Sequence, residues 1–243
     1  MTESLRARAK KILQGLRAAY PDAHCELDFG NPFQLLVATV LSAQSTDVAV
    51  NQVTPVLFKR WPTAERLAKA EPEQVELVLA HIGMYRQKAK HIIGLSKLLL
   101  RDYQGHVPDS LDALVELPGV GRKTANVVLG VAFGKPEGVV VDTHVQRLAQ
   151  RLGLSSETSA ELIERELMVL VPREDWEVVP HLLIFHGRRC CTARKPNCAG
   201  CPVQRLCPSA FHAEDVGRKT PKLLEPRKIE TPAIRAKRKT TRA

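Results

Sequence analysis

The stretch "LPGVGRKTANVVLG", Leu117–Gly130, decides the fold. A proline and two glycines make a tight turn, a basic pair follows, and Thr124 leads into an apolar run with helical spacing. It looks like a nucleotide phosphate loop but fails that template, which requires a glycine directly before the lysine. Here Arg122 precedes Lys123. The segment before the turn, "SLDALVEL", reads as a short helix capped by Asp109. Two helices joined by "PGVG" form a helix–hairpin–helix. Gly119 and Gly121 permit the tight backbone and keep the N–H groups of the Gly119–Val120–Gly121 turn clear of side chains. Those groups and the N-terminus of the next helix make an anion site suited to a nucleic-acid phosphate, a contact independent of base sequence.

Lys123 falls in the first turn of that second helix. The helix dipole disfavours a cation there, and Arg122 beside it adds to the effect. Both favour the neutral amine, the form that acts as a nucleophile. A carboxylate nearby would act in the opposite sense. The blander alternative is a surface lysine on a phosphate. Asp142, in "VVVDTHVQRLAQ", reads as an N-cap and equally as a carboxylate able to stabilise positive charge; the two roles are compatible.

Outward from the turn, helix signals follow one another. Asn31-Pro32 pairs a cap with a first-position proline ahead of Phe33, Leu36, Val37, Val40 and Leu41. The polar turn "SAQST" separates this run from "DVAVNQVTPVLFKRW"; Thr63 and Glu71-Pro72 open two short helices, and "YRQKAKHIIGLSKLLLRDY" is amphipathic throughout. "THVQRLAQRLG", "SAELIERELMVLV" and "EDWEVVPHLLIFHG" complete the set. The one strand candidate, Val139–Val141, has nothing to pair with, so the fold class is all-α.

The chain has 243 residues and a formal charge of +10, from 36 basic and 26 acidic residues. That excess favours a polyanionic partner, nucleic acid before membrane surface. No apolar run is long enough to span a membrane, and the charged N-terminus lacks a signal-peptide pattern, which points to the cytoplasm. Arg218 to Arg242 holds only two acids, Glu225 and Glu230, and reads as a mobile basic tail in which "RAKRK" suits nonspecific DNA contact.

Five of the six cysteines lie between Cys190 and Cys207. Cys191, Cys198, Cys201 and Cys207 have the spacing C-x6-C-x2-C-x5-C, which can hold zinc or an iron–sulfur cluster. The long spacers suit wrapping a bulkier cubane. Cys190 and Cys25 are left over. Arg194 and Lys195 sit in the loop between the first two ligands, as a basic phosphate contact or as two solvated charges.

Taken together, "LSAQSTD", "HIGMYRQKA", "LPGVGRKTANVV", "VDTHVQRL", "HGRRCC" and the cysteine array resemble the endonuclease III family of DNA glycosylases, from about Leu13 to Cys207. The resemblance implies a bifunctional glycosylase and AP lyase of base excision repair. It would act on oxidised pyrimidines in double-stranded DNA carrying damaged bases or abasic sites, as a nucleoid-associated monomer with a [4Fe–4S] cluster on the four cysteines. Lys123 would attack the sugar and form a Schiff base, with Asp142 in support. Gln44 would fill the gap left by the flipped nucleotide and Met84 would act as a wedge. Ser42, Asp47 and Glu116 would help move protons. His144 and Arg147 would face the DNA groove, and His186 would be structural. The implied architecture is two helical domains flanking a groove: 21–131 as a six-helix domain, 1–20 with 132–208 as a cluster domain, and 209–243 as the tail. An adenine-mismatch glycosylase shares most of these features but typically lacks the hairpin lysine; a noncatalytic DNA-binding protein would not need Lys123 and Asp142. A zinc-stapled version of the fold stays open.

Overall fold

The computed structural model describes residues 3–216, and among them every regular element is helical. The α-helices are α1 (Glu3–Ala19), α2 (Pro32–Ser42), α3 (Asp47–Arg60), α4 (Ala64–Ala68), α5 (Pro72–Leu79), α6 (Tyr85–Tyr103), α7 (Leu111–Val115), α8 (Arg122–Phe133), α9 (Thr143–Arg151), α10 (Ala160–Leu170) and α11 (Val178–Arg189). Short 3-10 turns lie at Arg173–Asp175, Gln204–Leu206 and Ala213–Asp215. Val139–Val141 forms no regular element, and Val139 is buried in the core.

Local chemistry sets most of the helix starts. Asn31 Oδ1 accepts from Gln34 N at 2.9 Å with Pro32 at the first helical position, and Thr46 and Thr63 cap α3 and α4 through their hydroxyls. The start of α7 differs from the sequence expectation. Ser110 is its N-cap, and the Asp109 carboxylate accepts instead from Lys135 Nζ at 2.5 Å. An ammonium within reach is a stronger partner for a carboxylate than a backbone amide.

Two apolar cores form. The first joins α2 to α8, with Leu35, Leu36, Leu41, Leu57, Leu95 and Leu129 fully buried. Burying each such side chain contributes about 1.5–3 kcal/mol. Helix α2 is apolar all round and sits at the centre, packed on α3, α6 and α8. The second core returns α1 to α9, α10 and α11, through Ile12, Leu16, Leu148, Leu167 and Leu183. The chain therefore begins in one core, builds the other, and comes back. Polar pairs bridge the two: Arg122 on α8 meets Glu164 on α10 at 3.2 Å, and Arg188 on α11 reaches Glu26 and Asp47.

Residues 209–216, expected from the sequence to belong to the tail, are packed. Ser209 and Ala213 are buried, and Val216 O accepts from Arg151 Nε at 2.9 Å, so 209–216 pack against the second core. The rest of the basic stretch, with its "RAKRK" string, lies outside the described residues. No helix among the described residues is long and apolar enough to cross a membrane.

Candidate functional site

The glycine turn is built by two different constraints. Gly119 has φ +79, and a Cβ there would lie 2.7 Å from the His91 ring, so both conformation and space demand glycine. Gly121 has an ordinary φ of −94, and a Cβ there would meet nothing within 4 Å. It is the N-cap of α8 and offers no side-chain cap, so the first amides of α8 face an open approach. The Val120 N–H is spent within the turn on Leu117 O at 3.0 Å, and its side chain is buried, so its amide is not part of the free donor set expected from the sequence.

Lys123, the second residue of α8, is exposed. Asp142 is the N-cap of α9 and accepts from Val145 N at 2.7 Å through Oδ1, leaving Oδ2 outside the cap. Asp47 opens α3. Burial and then the charge of Asp142 raise its pKa, while Lys123, His144 and His181 lower it. Four groups from three helices, Lys123, Asp142, His144 and Asp47, thus share one electrostatic neighbourhood. His144 is half-buried and its pKa is lowered by burial, against the pull of Asp142 and Asp47, which keeps its ring neutral near pH 7. Arg188 Nη2 donates to Asp47 Oδ2 at 2.9 Å.

The remaining sequence candidates fall in different places. Gln44 and Met84 are both exposed, in loops before α3 and α6, and both have φ 55 in the left-handed region. Ser42 Oγ donates to Thr39 O at 2.9 Å, a helix-end back-bond. Glu116 is exposed at the end of α7. Arg194 and Lys195 are exposed on a loop braced by Thr192 Oγ1, which donates to Arg194 O at 2.6 Å. Arg122 is half-exposed but engaged by Glu164.

Arg147 does not face a groove. It is buried, and Nη2 donates to Gly187 O at 3.0 Å and Cys191 O at 3.3 Å. Its position on α9 turns it inward with Val145 and Leu148, onto the cysteine segment. Arg151, one turn later, is fully buried. It donates to Thr192 O at 2.8 Å, Ala193 O at 3.0 Å and Cys191 Sγ at 3.4 Å. Arg151 is not among the sequence candidates, although its four-residue spacing from Arg147 on a helix face otherwise lined by Val145, Leu148, Ala149 and Leu152 marks it. Arg188 was also missed, as a member of the basic "HGRR" run.

Cys191, Cys198, Cys201 and Cys207 line one cavity with Cys190 and His186, with an empty volume of about 310 Å³. His186 accepts or donates at both ring nitrogens: Tyr20 Oη lies 2.9 Å from Nδ1, and Cys201 Sγ lies 3.7 Å from Nε2. The donor set fits an iron–sulfur cluster. Burial pushes the Cys201 and Cys207 thiols up and Cys190 to about 12, so thiolates here require a compensating metal charge. The two buried guanidiniums of Arg147 and Arg151 bond carbonyls and a sulfur but no carboxylate among the described residues, and an anionic tetrathiolate cluster supplies their missing counter-charge.

Comparison with known proteins agrees with this geometry. Residues 37–173 match the model of the HhH-GPD superfamily base excision DNA repair proteins, and 191–207 match the iron-sulfur binding domain of endonuclease III. The chain is 51% identical over 207 residues to endonuclease III of Synechocystis sp., covering 85% of this chain and 94% of that one. It is 43% identical over 202 residues to that of Escherichia coli K12, covering 83% and 95%. A solved non-covalent endonuclease III–DNA complex superposes with a TM-score of 0.81 at 43% identity, over 85% of this chain and 97% of that one. A trapped endonuclease III–DNA covalent intermediate gives the same TM-score at 44% identity. With the hairpin turn, the lysine behind it, the capping aspartate and the cysteine array all present on this fold, the chain belongs to the endonuclease III family.

Proposed function

We propose that this protein is a bifunctional DNA glycosylase and AP lyase of base excision repair, acting on oxidised pyrimidines and abasic sites in duplex DNA. The observation that carries the reading is the exposed Lys123, placed behind an uncapped glycine turn and in one electrostatic neighbourhood with Asp142 and Asp47.

The chemistry follows from those groups. A DNA phosphate seats on the amides at the Gly121 end of α8, where the helix dipole favours an anion. That contact holds the sugar of a flipped nucleotide beside the amine. As the base departs, positive charge develops on the sugar, and the Asp142 carboxylate stabilises it. Neutral Lys123 Nζ forms the bond to C1′ as the bond to the base breaks, and the departing base takes up a proton; nitrogen then loses one proton, the C1′–O4′ bond opens with O4′ taking a proton, and a protonated Schiff base results. A base then removes a proton from C2′, and the electron pair expels the 3′ phosphate, which is β-elimination. Asp47 and His144, which share the electrostatic neighbourhood of Lys123, are the proton acceptors in this reading. A [4Fe–4S] cluster on Cys191, Cys198, Cys201 and Cys207 supplies cross-links that fold the 191–207 segment, which includes the basic Arg194–Lys195 loop, rather than chemistry at the sugar.

The DNA groove runs between the two helical domains in this reading, with 21–131 on one side and 1–20 plus 132–208 on the other. The protein works as a monomer near the nucleoid. The deciding experiment is borohydride trapping on duplex DNA with an oxidised pyrimidine, wild type beside Lys123→Ala. An adduct with wild type alone is expected. An adduct in both assigns another amine. None in either, with DNA binding kept, overturns the lyase half of the reading. Binding should weaken steeply with salt, since phosphate contacts dominate.

A further inference from the structure

Gln44 and Met84 lie 40 residues apart in sequence, on separate loops, yet both are exposed, both sit in the left-handed region at φ 55, and both are non-glycine. Each such residue costs roughly 1–2 kcal/mol and persists only where its surroundings hold it. The two loops touch: a Cβ added at Gly83, beside Met84, would lie 3.6 Å from Gln44 O and 3.9 Å from Ser45 Oγ. Lys88 sits one helical turn beyond Met84. Its backbone N–H donates to Met84 O at 3.0 Å, the first bond of α6, and its Nζ donates to Ser45 Oγ at 2.8 Å. One residue therefore bonds Met84 through its main chain and the neighbour of Gln44 through its side chain.

The way this bond is made is unusual in its cost. Lys88 is 3% exposed and no ion pair reaches it among the described residues, so an ammonium is kept in the protein on a hydroxyl partner. Burial alone lowers its pKa, with no neighbouring charge contributing. Packing α6 against the first core would be served better by an apolar side chain of the same length. A costly buried charge that ties two strained, exposed loops points to a task at those loops.

We propose that Lys88 is a positioning residue that locks the Gln44 and Met84 loops at a fixed separation, so that both side chains enter the duplex together when the damaged nucleotide leaves the stack. This rests on the reading of Gln44 and Met84 as the inserting residues. Lys88 itself does not touch the reacting atoms. Its effect is confined to duplex substrates, because single-stranded abasic DNA has no gap to fill and no pair to break.

The test uses the full chain with Lys88→Met, Ser45→Ala, the double variant and Ser45→Thr, alongside Gln44→Ala and Met84→Ala. Two readouts are taken: 2-aminopurine fluorescence opposite an abasic site in a duplex, and borohydride trapping rates on duplex and single-stranded abasic DNA. Lys88→Met and Ser45→Ala should each lose the fluorescence rise and slow duplex trapping about 10- to 100-fold, the effect of a misplacement near 1 Å. Single-stranded trapping should be unchanged. The double variant should be no worse than either single, and Ser45→Thr, which keeps the hydroxyl, should behave as wild type. Retained fluorescence and duplex trapping in Lys88→Met overturns the proposal, as does equal loss on both substrates, which marks a purely structural role. If Gln44→Ala and Met84→Ala leave the fluorescence untouched, the insertion reading fails first and the proposal with it.

Discussion

Arg188 Nη2 donates to Asp47 Oδ2 at 2.9 Å, and this bond ties the helix that leads into the cysteine segment to the first residue of α3 in the other core. The same guanidinium pairs with Glu26. Asp47 is already raised in pKa by burial and by Asp142. Removing Arg188 withdraws a favourable cation and raises it further. In Arg188→Met the acid limb of the pH profile for trapping should move to higher pH, because Asp47 stays protonated over a wider range. Arg188→Lys should restore most of the shift. An acid limb that does not move in Arg188→Met would detach Asp47 from proton transfer.

Asp142 caps α9 through Oδ1 and its charge acts in the neighbourhood of Lys123, and the two jobs separate by substitution. Asparagine caps nearly as well as aspartate. Asp142→Asn should keep the melting temperature and lose about 10²-fold or more in base removal, from loss of charge stabilisation. Asp142→Ala should show the same rate loss and, in addition, about 1 kcal/mol of stability. Equal activity of the asparagine variant and wild type would reduce Asp142 to a cap.

The two glycines of the hairpin should respond in opposite ways. Gly119→Ala meets both a left-handed backbone and the His91 ring, so thermal stability should fall, by roughly 1–2 kcal/mol from conformation alone. Gly121→Ala meets nothing in the protein. Its stability should fall by no more than about 1 kcal/mol, the cost of alanine at an N-cap, while its methyl crowds an approaching phosphate. DNA affinity measured by fluorescence anisotropy should drop for Gly121→Ala; unchanged affinity would place the phosphate elsewhere.

Lys88 has a lowered pKa, so the folded state penalises its charged form. The unfolded chain then binds the proton more tightly, and wild-type stability rises with pH from the lowered folded value up to the ordinary lysine range. Lys88→Met lacks the penalty. At pH 7 it should melt higher than wild type. The advantage should shrink on going to alkaline pH. A variant that melts lower than wild type at pH 7 would show the ammonium to be a net stabilising contact.

Arg151 binds Cys191 Sγ and three backbone carbonyls around the cysteine segment. Arg151→Met should purify with less iron per chain and a weaker visible absorbance than wild type. Residues 209–216 should become protease-sensitive, since Val216 O loses its donor. Full iron content in the variant would show that the cysteines hold the cluster without the buried guanidinium. Zinc in place of iron in the wild type would overturn the cluster assignment itself.

What the sequence determined by itself was whatever depends on neighbours in the chain. Helix α6 runs from Tyr85 to Tyr103 as its amphipathic spacing indicated, Asn31 and Thr63 cap the helices they precede, and the cysteine spacing brings four thiols to one cavity. These follow from periodicity, side-chain-to-amide bonds and short loops, all of which act within a few residues. Distant partners override local preference at Asp109, which pairs with Lys135, and at 209–216, which pack onto Arg151, while Val120 spends its amide on Leu117 O three residues back. Tertiary structure alone decided the direction of each charge. Arg147 and Arg151 lie on a helix that carries His144 toward the lysine, yet both turn inward because the cysteine segment crosses that face. The grouping of Lys123, Asp142 with His144, and Asp47, the reach of Arg188 across the two cores, and the bond from Lys88 to Ser45 each join different helices or loops, from 19 to 141 positions apart. Chain spacing carries no information at that range, because each meeting point is set by how the helices pack, within one core for Lys88 and Ser45 and across the two cores for the others.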